Sequence, residues 1–156
     1  MKKQYIAGLL LIVALLSGCK QDDWLDWKAQ NELWLQNNAT KDSVVTTPTG
    51  LQYKCVLPGN PTSAKPDNSK AVIMSYEGYL INGYQFDAND SYSTYVSSNV
   101  EGFIEGLKQM HEFGEYWFYI PSSLGYKSSG KGTEGNSSYI PPYSTLIFHV
   151  WLQSVN

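Results

Sequence analysis

Cysteine and histidine are almost absent from this chain of 156 residues, which contains two of each. With Cys19 and Cys55 as its only cysteines, the chain cannot form a framework of several disulfides. His111 and His149 have no further metal ligand at a recognisable spacing, and neither lies beside a nucleophilic serine motif. The sequence therefore predicts no metal site and no hydrolytic triad.

Charged residues are sparse, at 16% of the chain, and the net charge is −3. The lysines are scattered rather than gathered in a basic stripe, so nucleic acid is excluded as a partner. Glu101 and Glu105 are four residues apart on one predicted helix. They are interpreted as a solvated face rather than an acid/base pair, because two carboxylates on one exposed turn stay ionised.

Two glycine-rich stretches come close to nucleotide-binding motifs but lack their context. Residues 125–132 have glycine at the position where a phosphate-binding loop needs a hydroxyl. Residues 130–135 fit the G-x-G-x-x-G pattern, yet they lie within a loop that has no strand–helix–strand unit around it. Both stretches are interpreted as loop glycines, and no cofactor is predicted.

Only one long apolar run is present, from Tyr5 to Leu16, and two lysines precede it. It is shorter than the roughly 20 residues of a membrane span and is typical of a secretory signal peptide. Ser17-Gly18-Cys19 resembles the bacterial lipoprotein cleavage box. We therefore expect a lipoprotein signal peptide at 1–18, lipidation of Cys19, and a lipid anchor in the bacterial cell envelope, with the outer membrane favoured over the inner. An ordinary secretory peptide is the alternative.

Residues 19–47, here called the arm, are expected to form a lipidated tether and a tryptophan-rich helix. Tryptophans and leucines from Asp23 to Gln36 have loose helical spacing, and Asp22 or Asp23 is placed near the N-cap. The tryptophans favour docking on the rest of the chain or self-association into a homodimer, and contact with a lipid surface is a further interpretation. Val44–Thr49 is predicted to be a linker.

From Gly50 onward the pattern is that of β-strands, and Leu51–Leu57 alternates apolar and polar residues as a half-buried strand does. Cys55 is predicted to be a small buried residue in the first strand, and Asn82-Gly83 favours a tight turn with positive φ. Ala88–Ser98 is predicted to be a loop or an edge strand. The predicted strands are Leu51–Leu57, Ala71–Leu80, Tyr84–Asp87, Glu115–Ile120 and Thr145–Leu152.

One clear helix is predicted in this region, from Val100 to Met110, because Phe103, Leu107 and Met110 share one face. Antiparallel strands around one short helix predict an α+β fold with a twisted half-barrel sheet.

Four segments occur in a fixed order in the second half of the chain: 76–87, 100–107, 120–126 and 139–148. Their most distinctive residues are Tyr76, Phe86-Asp87, Gly125-Tyr126 and Ile140-Pro141-Pro142. The ordered set resembles the FKBP-type peptidyl-prolyl isomerases, and Thr49-Gly50-Leu51-Gln52-Tyr53 is similar to the entry strand of many bacterial members. The resemblance covers 48–156 and implies an FKBP-like isomerase domain there.

The resemblance also implies a small apolar pocket that binds the prolyl peptide bond of a polypeptide. It assigns the catalytic roles to Asp87, Tyr126 and Ile140, the last through its backbone N–H. The substrate-binding residues that it implies are Tyr76, Phe86, Asn99, Val100, Phe103, Tyr139 and Phe148.

The implied activity is cis–trans isomerisation of X–Pro bonds, which assists the folding of envelope or secreted proteins. A non-catalytic binding or chaperone module with the same fold, at the cell surface, is the alternative. Three residues depart from the family pattern: Phe103 stands where tryptophan is common, Asn99 where an apolar residue is common, and Lys127 where glycine is usual. They predict modest activity and weakened binding of macrolides.

Overall fold

The computed structural model describes residues 22–156. The predicted signal peptide and the lipidation site Cys19 lie outside the described residues. Two short 3₁₀ turns, Val96–Ser98 and Ser122–Leu124, accompany the main elements. The helices and strands are α1 (Asp22–Asn38), β1 (Val44–Thr46), β2 (Gln52–Leu57), β3 (Ala71–Tyr79), β4 (Gln85–Tyr95), α2 (Glu101–Leu107), β5 (Glu115–Ile120) and β6 (Leu146–Val155).

The six strands form one antiparallel sheet in the order β1-β2-β5-β6-β3-β4. Helix α2 packs on one face of this sheet, against β5, and the predicted α+β architecture is confirmed. The order brings β3, from the middle of the chain, beside β6, the last strand of the chain. The residues of the candidate site come from β3, β4, β6, α2, the segment before α2 and the loop after β5.

Successive side chains of a strand point to opposite faces of the sheet, so every second side chain contributes to the buried core. In β5, Tyr116, Phe118 and Ile120 are buried, whereas the residues between them are only partly covered. Gly106 of α2 lies directly over Phe118, and a Cβ atom at this glycine would come within 2.9 Å of the Phe118 ring. Because this position has no side chain, the backbone of α2 can approach the sheet closely and set the depth of the site.

Two local predictions need correction. Val44–Thr46, predicted to lie in a linker, is a strand paired with β2. Cys55, predicted to be buried, is exposed. Strand β1 has only three residues and its pairing ends at Lys54, so nothing from β1 flanks Cys55. Of the two alternatives for Ala88–Ser98, the edge strand is confirmed as far as Tyr95, where β4 ends before the first 3₁₀ turn.

Helix α1 is docked on the domain, as one of the interpretations of the arm predicted. The indole Nε1 of Trp27 donates a hydrogen bond to Ser144 Oγ at 3.0 Å. The ring of Trp34 packs against Tyr119 with 5.7 Å between centroids. Leu25 and Leu33, in contrast, are 53% and 57% exposed. Within residues 22–156, no helix is long and apolar enough to cross a membrane.

His149 lies on the sheet face opposite the buried Phe148 and Val150. Its ring stacks on Trp117 at 4.0 Å, and its Nε2 lies 2.8 Å from Glu115 Oε1. In the described part of the chain, no group of three or more His, Cys, Asp or Glu side chains is placed to hold a metal ion.

Candidate functional site

A cavity of about 350 Å³ opens between the β3–β4 hairpin, the loop before α2 and the loop after β5. Its volume lies in the range of small-ligand sites and is sufficient for a short stretch of peptide. The residues that line it are Tyr76, Asp87, Tyr92, Ser98, Asn99, Val100, Phe103, Tyr126, Lys131 and Phe148.

Three buried aromatic rings form the floor of the cavity. The rings of Phe103 and Phe148 meet nearly at right angles with 4.8 Å between centroids. Tyr76 contacts Phe148 at 5.9 Å and Phe103 at 6.4 Å, also edge to face. Aromatic pairs prefer this edge-to-face arrangement, so the floor is apolar and its rings are mutually fixed.

The rim of the cavity is polar on the β4 side. The hydroxyl of Tyr76 donates a hydrogen bond to Asp87 Oδ2 at 3.0 Å. Burial of the ring and, second, the Asp87 carboxylate raise the pKa of Tyr76 well above its usual range. Tyr76 therefore keeps its proton at physiological pH and fixes the position of the Asp87 side chain, which is itself exposed.

The β3–β4 hairpin places Tyr76 and Asp87 together. The Asn82-Gly83 turn, with Gly83 at φ 83°, reverses the chain so that Gly78 pairs with Asp87. A Cβ atom at Gly78 would come within 2.8 Å of Phe86 and 2.9 Å of Phe148. Because Gly78 has no side chain, these two rings meet across β3 with 5.5 Å between centroids.

Seven of the ten predicted catalytic and substrate-binding residues lie together around this cavity. They are Tyr76, Asp87, Asn99, Val100, Phe103, Tyr126 and Phe148.

The other three lie elsewhere. Phe86 is buried against Phe148 rather than at the cavity wall. Tyr139 lines a separate, shallower pocket. Ile140 is 1% exposed, and its N–H donates to Lys131 O at 2.9 Å. The donor that the resemblance implied at Ile140 is thus already paired within the chain.

Val100 supplies a backbone donor that the sequence analysis did not assign. Its carbonyl accepts hydrogen bonds from Phe103 N and Ile104 N, whereas its own N–H has no acceptor among residues 22–156. Val100 lines the cavity and is partly exposed. The first N–H groups at a helix start generally have no partner within the helix, but the sequence does not show whether another part of the chain pairs with them.

Tyr92 and Lys131 complete the walls. Tyr92 packs edge to face on Tyr76 with 5.5 Å between centroids. The Lys131 ammonium lies 5.3 Å from the centroid of the Tyr126 ring, a distance at which a cation is attracted to an aromatic face. Lys131 therefore helps to hold Tyr126, which comes from the loop after β5. The arrangement offers an apolar floor and polar groups at its edge, which suits a neutral amide.

Two family models match the chain. Residues 62–153 match the model described as FKBP-type peptidyl-prolyl cis-trans isomerase. Residues 19–55 match the model described as the domain amino terminal to FKBP-type peptidyl-prolyl isomerase.

Curated relatives include the probable FKBP-type peptidyl-prolyl cis-trans isomerase FkpA of Neisseria meningitidis, 39% identical over 132 residues. That match covers 82% of this chain and 46% of the relative. The outer membrane protein MIP of Legionella longbeachae is 35% identical over 132 residues, which cover 82% of this chain and 54% of the relative. The chain thus spans about half the length of these curated relatives.

Among solved structures, the crystal structure of FkpA from Escherichia coli is similar, with a TM-score of 0.78 and 32% sequence identity. The match covers 87% of this chain and 62% of that chain.

Proposed function

The chain belongs to the FKBP-type peptidyl-prolyl cis-trans isomerase family, and on this premise we propose that it catalyses isomerisation of X–Pro bonds in polypeptides. The observation that carries the proposal is the cavity above the rings of Tyr76, Phe103 and Phe148. Its apolar floor fits a prolyl ring, and its rim has donors for the adjoining carbonyl groups. The biological role that we propose is assistance in the folding of envelope or secreted proteins.

The mechanism needs no bond to the protein. Rotation about a peptide bond has a barrier of about 18–20 kcal/mol because amide resonance is lost in the twisted state. An enzyme that binds the twisted amide more tightly than the planar one lowers this barrier. Since the twisted amide has less C–N double-bond character and a less polar carbonyl, a dry aromatic floor favours it over the planar form.

Three polar groups would hold the substrate in the rotated geometry. The unpaired N–H of Val100 donates to a substrate carbonyl, and the Tyr126 hydroxyl donates to a second one. Asp87 acts through its charge and its hydrogen bonds rather than as a proton shuttle. Its hydrogen bond from Tyr76 fixes the carboxylate at the cavity rim. In this scheme Val100 replaces Ile140 as the backbone donor.

The activity can be tested with a proline-containing chromogenic tetrapeptide. We expect Asp87→Leu and Tyr126→Phe each to lower kcat/KM about tenfold, the effect of losing one hydrogen bond that involves a charged or well-positioned group. Asp90→Leu is the matched control, because Asp90 is an exposed aspartate on the same strand that does not line the cavity. This control should retain the wild-type rate.

A wild-type rate equal to the uncatalysed rate at micromolar protein would contradict the proposal. The alternative is a binding or chaperone module that keeps the fold without catalysis. Suppression of aggregation of an unfolded, proline-free polypeptide, in the absence of isomerase activity, would support that alternative. Macrolide binding should be weak, because Phe103 offers a smaller floor than tryptophan, and inhibition in the same assay measures it.

We also propose that the chain is a lipid-anchored envelope protein. The supporting observation is the cleavage-box pattern that ends at Cys19, together with the match to the amino-terminal family model that begins at residue 19. In this proposal 1–18 is the signal peptide, 19–47 the arm and 48–156 the isomerase domain, in the outer membrane rather than the inner. Mass spectrometry of the mature protein tests it, since Cys19→Ser should abolish the acylated species.

We further propose that two copies of the chain form a homodimer through the arm. Leu25 and Leu33 are eight residues apart on α1, so they share the face that the domain leaves exposed. Burial of this face against a second copy would remove both leucines from water. Replacing both by serine should convert the protein from dimer to monomer in a solution mass measurement, and an unchanged mass would contradict the dimer.

A further inference from the structure

The glycine-rich stretch 130–135, interpreted from the sequence as loop glycines, places one charged side chain at the isomerase cavity. Lys131 lies between Gly130 and Gly132, whose φ angles of 63° and 81° are in the left-handed region. A Cβ atom at Gly130 would overlap the carbonyl oxygen of Ile140 and would lie 2.9 Å from Pro142 N. The stretch therefore needs glycine where it passes close to the 140–142 backbone.

Hydrogen bonds fix the backbone of Lys131 beside the cavity. Lys131 N donates to Ile140 O at 2.9 Å, and Ile140 N donates to Lys131 O at the same distance. The two residues thus form an isolated antiparallel bridge. Gly130 N also donates to Tyr126 O at 3.2 Å, so one tight turn brings Lys131 back to Tyr126. The position of this lysine is set by the fold of the loop after β5.

The Lys131 ammonium faces the cavity without a carboxylate partner. It lies 5.3 Å from the centroid of the Tyr126 ring, and both residues line the cavity. It forms no ion pair among residues 22–156, in contrast to Lys127 of the same loop, which pairs with Glu101 at 3.3 Å. A lysine ammonium has three N–H donors. Since the Tyr126 ring covers one side of the group, donors remain for an acceptor on the substrate.

The charges at the cavity are separated. Within residues 22–156, the lining includes one carboxylate, Asp87 from β4, and one ammonium, Lys131 from the loop after β5. The two do not pair with each other, and Asp87 instead accepts the hydrogen bond from Tyr76. An acidic group that enters the cavity is therefore repelled on the β4 side and attracted on the loop side.

The proposed position of the substrate brings one of its side chains to the loop side. The prolyl ring occupies the aromatic floor, so the residues that adjoin the proline extend to the rim. The Tyr126 hydroxyl is proposed to bind a carbonyl group of one of them. Because Lys131 lies over the Tyr126 ring, the side chain of that adjoining residue lies beside the ammonium.

We propose that Lys131 is a specificity-determining residue, which favours substrates with a glutamate or aspartate next to the proline. The inference rests on the proposed isomerase function and adds the class of polypeptide segment that the site takes best. Because Lys131 is exposed to solvent, the effect is moderate: exposed opposite charges change an affinity by no more than about fivefold.

Exchange spectroscopy by nuclear magnetic resonance tests the proposal on four peptides that need no cleavage. Two are acetyl-Ala-Xaa-Pro-Ala-Ala-amide and two are acetyl-Ala-Ala-Pro-Xaa-Ala-amide, with Xaa either glutamate or its neutral isostere glutamine. At one of the two positions we expect kcat/KM for the glutamate peptide to exceed that for the glutamine peptide about fourfold at low salt. Salt at 0.5 M should bring this ratio close to one, because it screens exposed charges.

Substitutions at Lys131 identify the source of the preference. Lys131→Gln should lower the glutamate-to-glutamine ratio to about one, and Lys131→Glu should invert it. Loss of the contact with Tyr126 can slow all four peptides alike, and the ratio is insensitive to such a uniform change. Lys127→Gln is the matched control, because this exposed lysine of the same loop does not line the cavity, and it should keep the wild-type ratio.

The inference is overturned if the wild-type protein isomerises glutamate and glutamine peptides equally at both positions, or if Lys131→Gln keeps the preference. Either result leaves the proposed isomerase function intact. If no peptide is isomerised, the proposed function fails instead. The Kd values of the same peptides, from shifts of the Lys131 and Tyr126 amide signals, then decide the charge preference: equal values for glutamate and glutamine overturn it, and tighter binding of glutamate that Lys131→Gln removes supports it.

Discussion

Replacing Val100 by proline should lower kcat/KM for a prolyl tetrapeptide about 30-fold while the protein stays folded. Val100 has φ −67° and ψ 152°, which proline adopts without strain. The preceding residue, Asn99, is extended at φ −107° and ψ 174°, the conformation favoured before proline. Because the Val100 N–H has no acceptor among residues 22–156, the substitution breaks no hydrogen bond between these residues and removes the proposed substrate donor. A 30-fold loss corresponds to roughly 2 kcal/mol, within the range of one hydrogen bond that strengthens in the transition state.

Val100→Ala is the matched control for this experiment. It shortens the side chain that lines the cavity but keeps the N–H, so kcat/KM should fall less than about fivefold. The Tm of each variant should lie close to that of the wild type. Equal losses of activity in the two variants would assign the effect to the side chain and contradict the role of the backbone donor.

Replacing Phe118 by alanine should reduce the free energy of unfolding by about 4 kcal/mol, since large-to-small changes at fully buried aromatics cost about 3–5 kcal/mol. The Phe118 ring is fully buried, lies beneath Gly106 of α2 and meets the ring of Phe103 at 5.6 Å. Its removal leaves a cavity between the sheet and the helix, directly under the floor of the isomerase site. Urea denaturation followed by tryptophan fluorescence measures the change.

Phe113→Ala makes the same chemical change at a ring that is 69% exposed. This control should shift the free energy of unfolding by no more than about 0.5 kcal/mol, as is usual for surface substitutions. A loss of less than about 1 kcal/mol for Phe118→Ala would mean that α2 and β5 can close over the missing ring. The floor of the site would then be less rigid than its edge-to-face contacts indicate.

The sequence pattern was sufficient to predict most of the strands. In β5 it gave the strand but not its buried side, because residues 116–120 are aromatic or apolar throughout, and only the structure shows that Tyr116, Phe118 and Ile120 are the buried ones. The same kind of pattern failed for β1, whose three residues are too few to show a period. It also failed for Cys55, because burial of that residue depends on how far the neighbouring strand extends.

The candidate site, too, was predictable only in part. Its aromatic floor was predictable through the family resemblance, which implied Tyr76, Phe103 and Phe148 as pocket residues, and the structure buries all three beneath the cavity. The backbone donor was not predictable, because the sequence does not show which N–H groups are already paired. Ile140 is paired with Lys131 across a loop, whereas the N–H of Val100 is unpaired among the described residues.

The sequence by itself determined the family and the residues of the apolar floor through the resemblance of its ordered segments, and the types of element through local periodicity and residue type. Only the tertiary structure decided which donors remain free among the described residues and how α1 lies on the domain. One contact that holds α1 is a hydrogen bond between Asn31 and Thr145, which are 114 residues apart. Such contacts arise from the packing of α1 against the finished sheet, and no local pattern of residues encodes them.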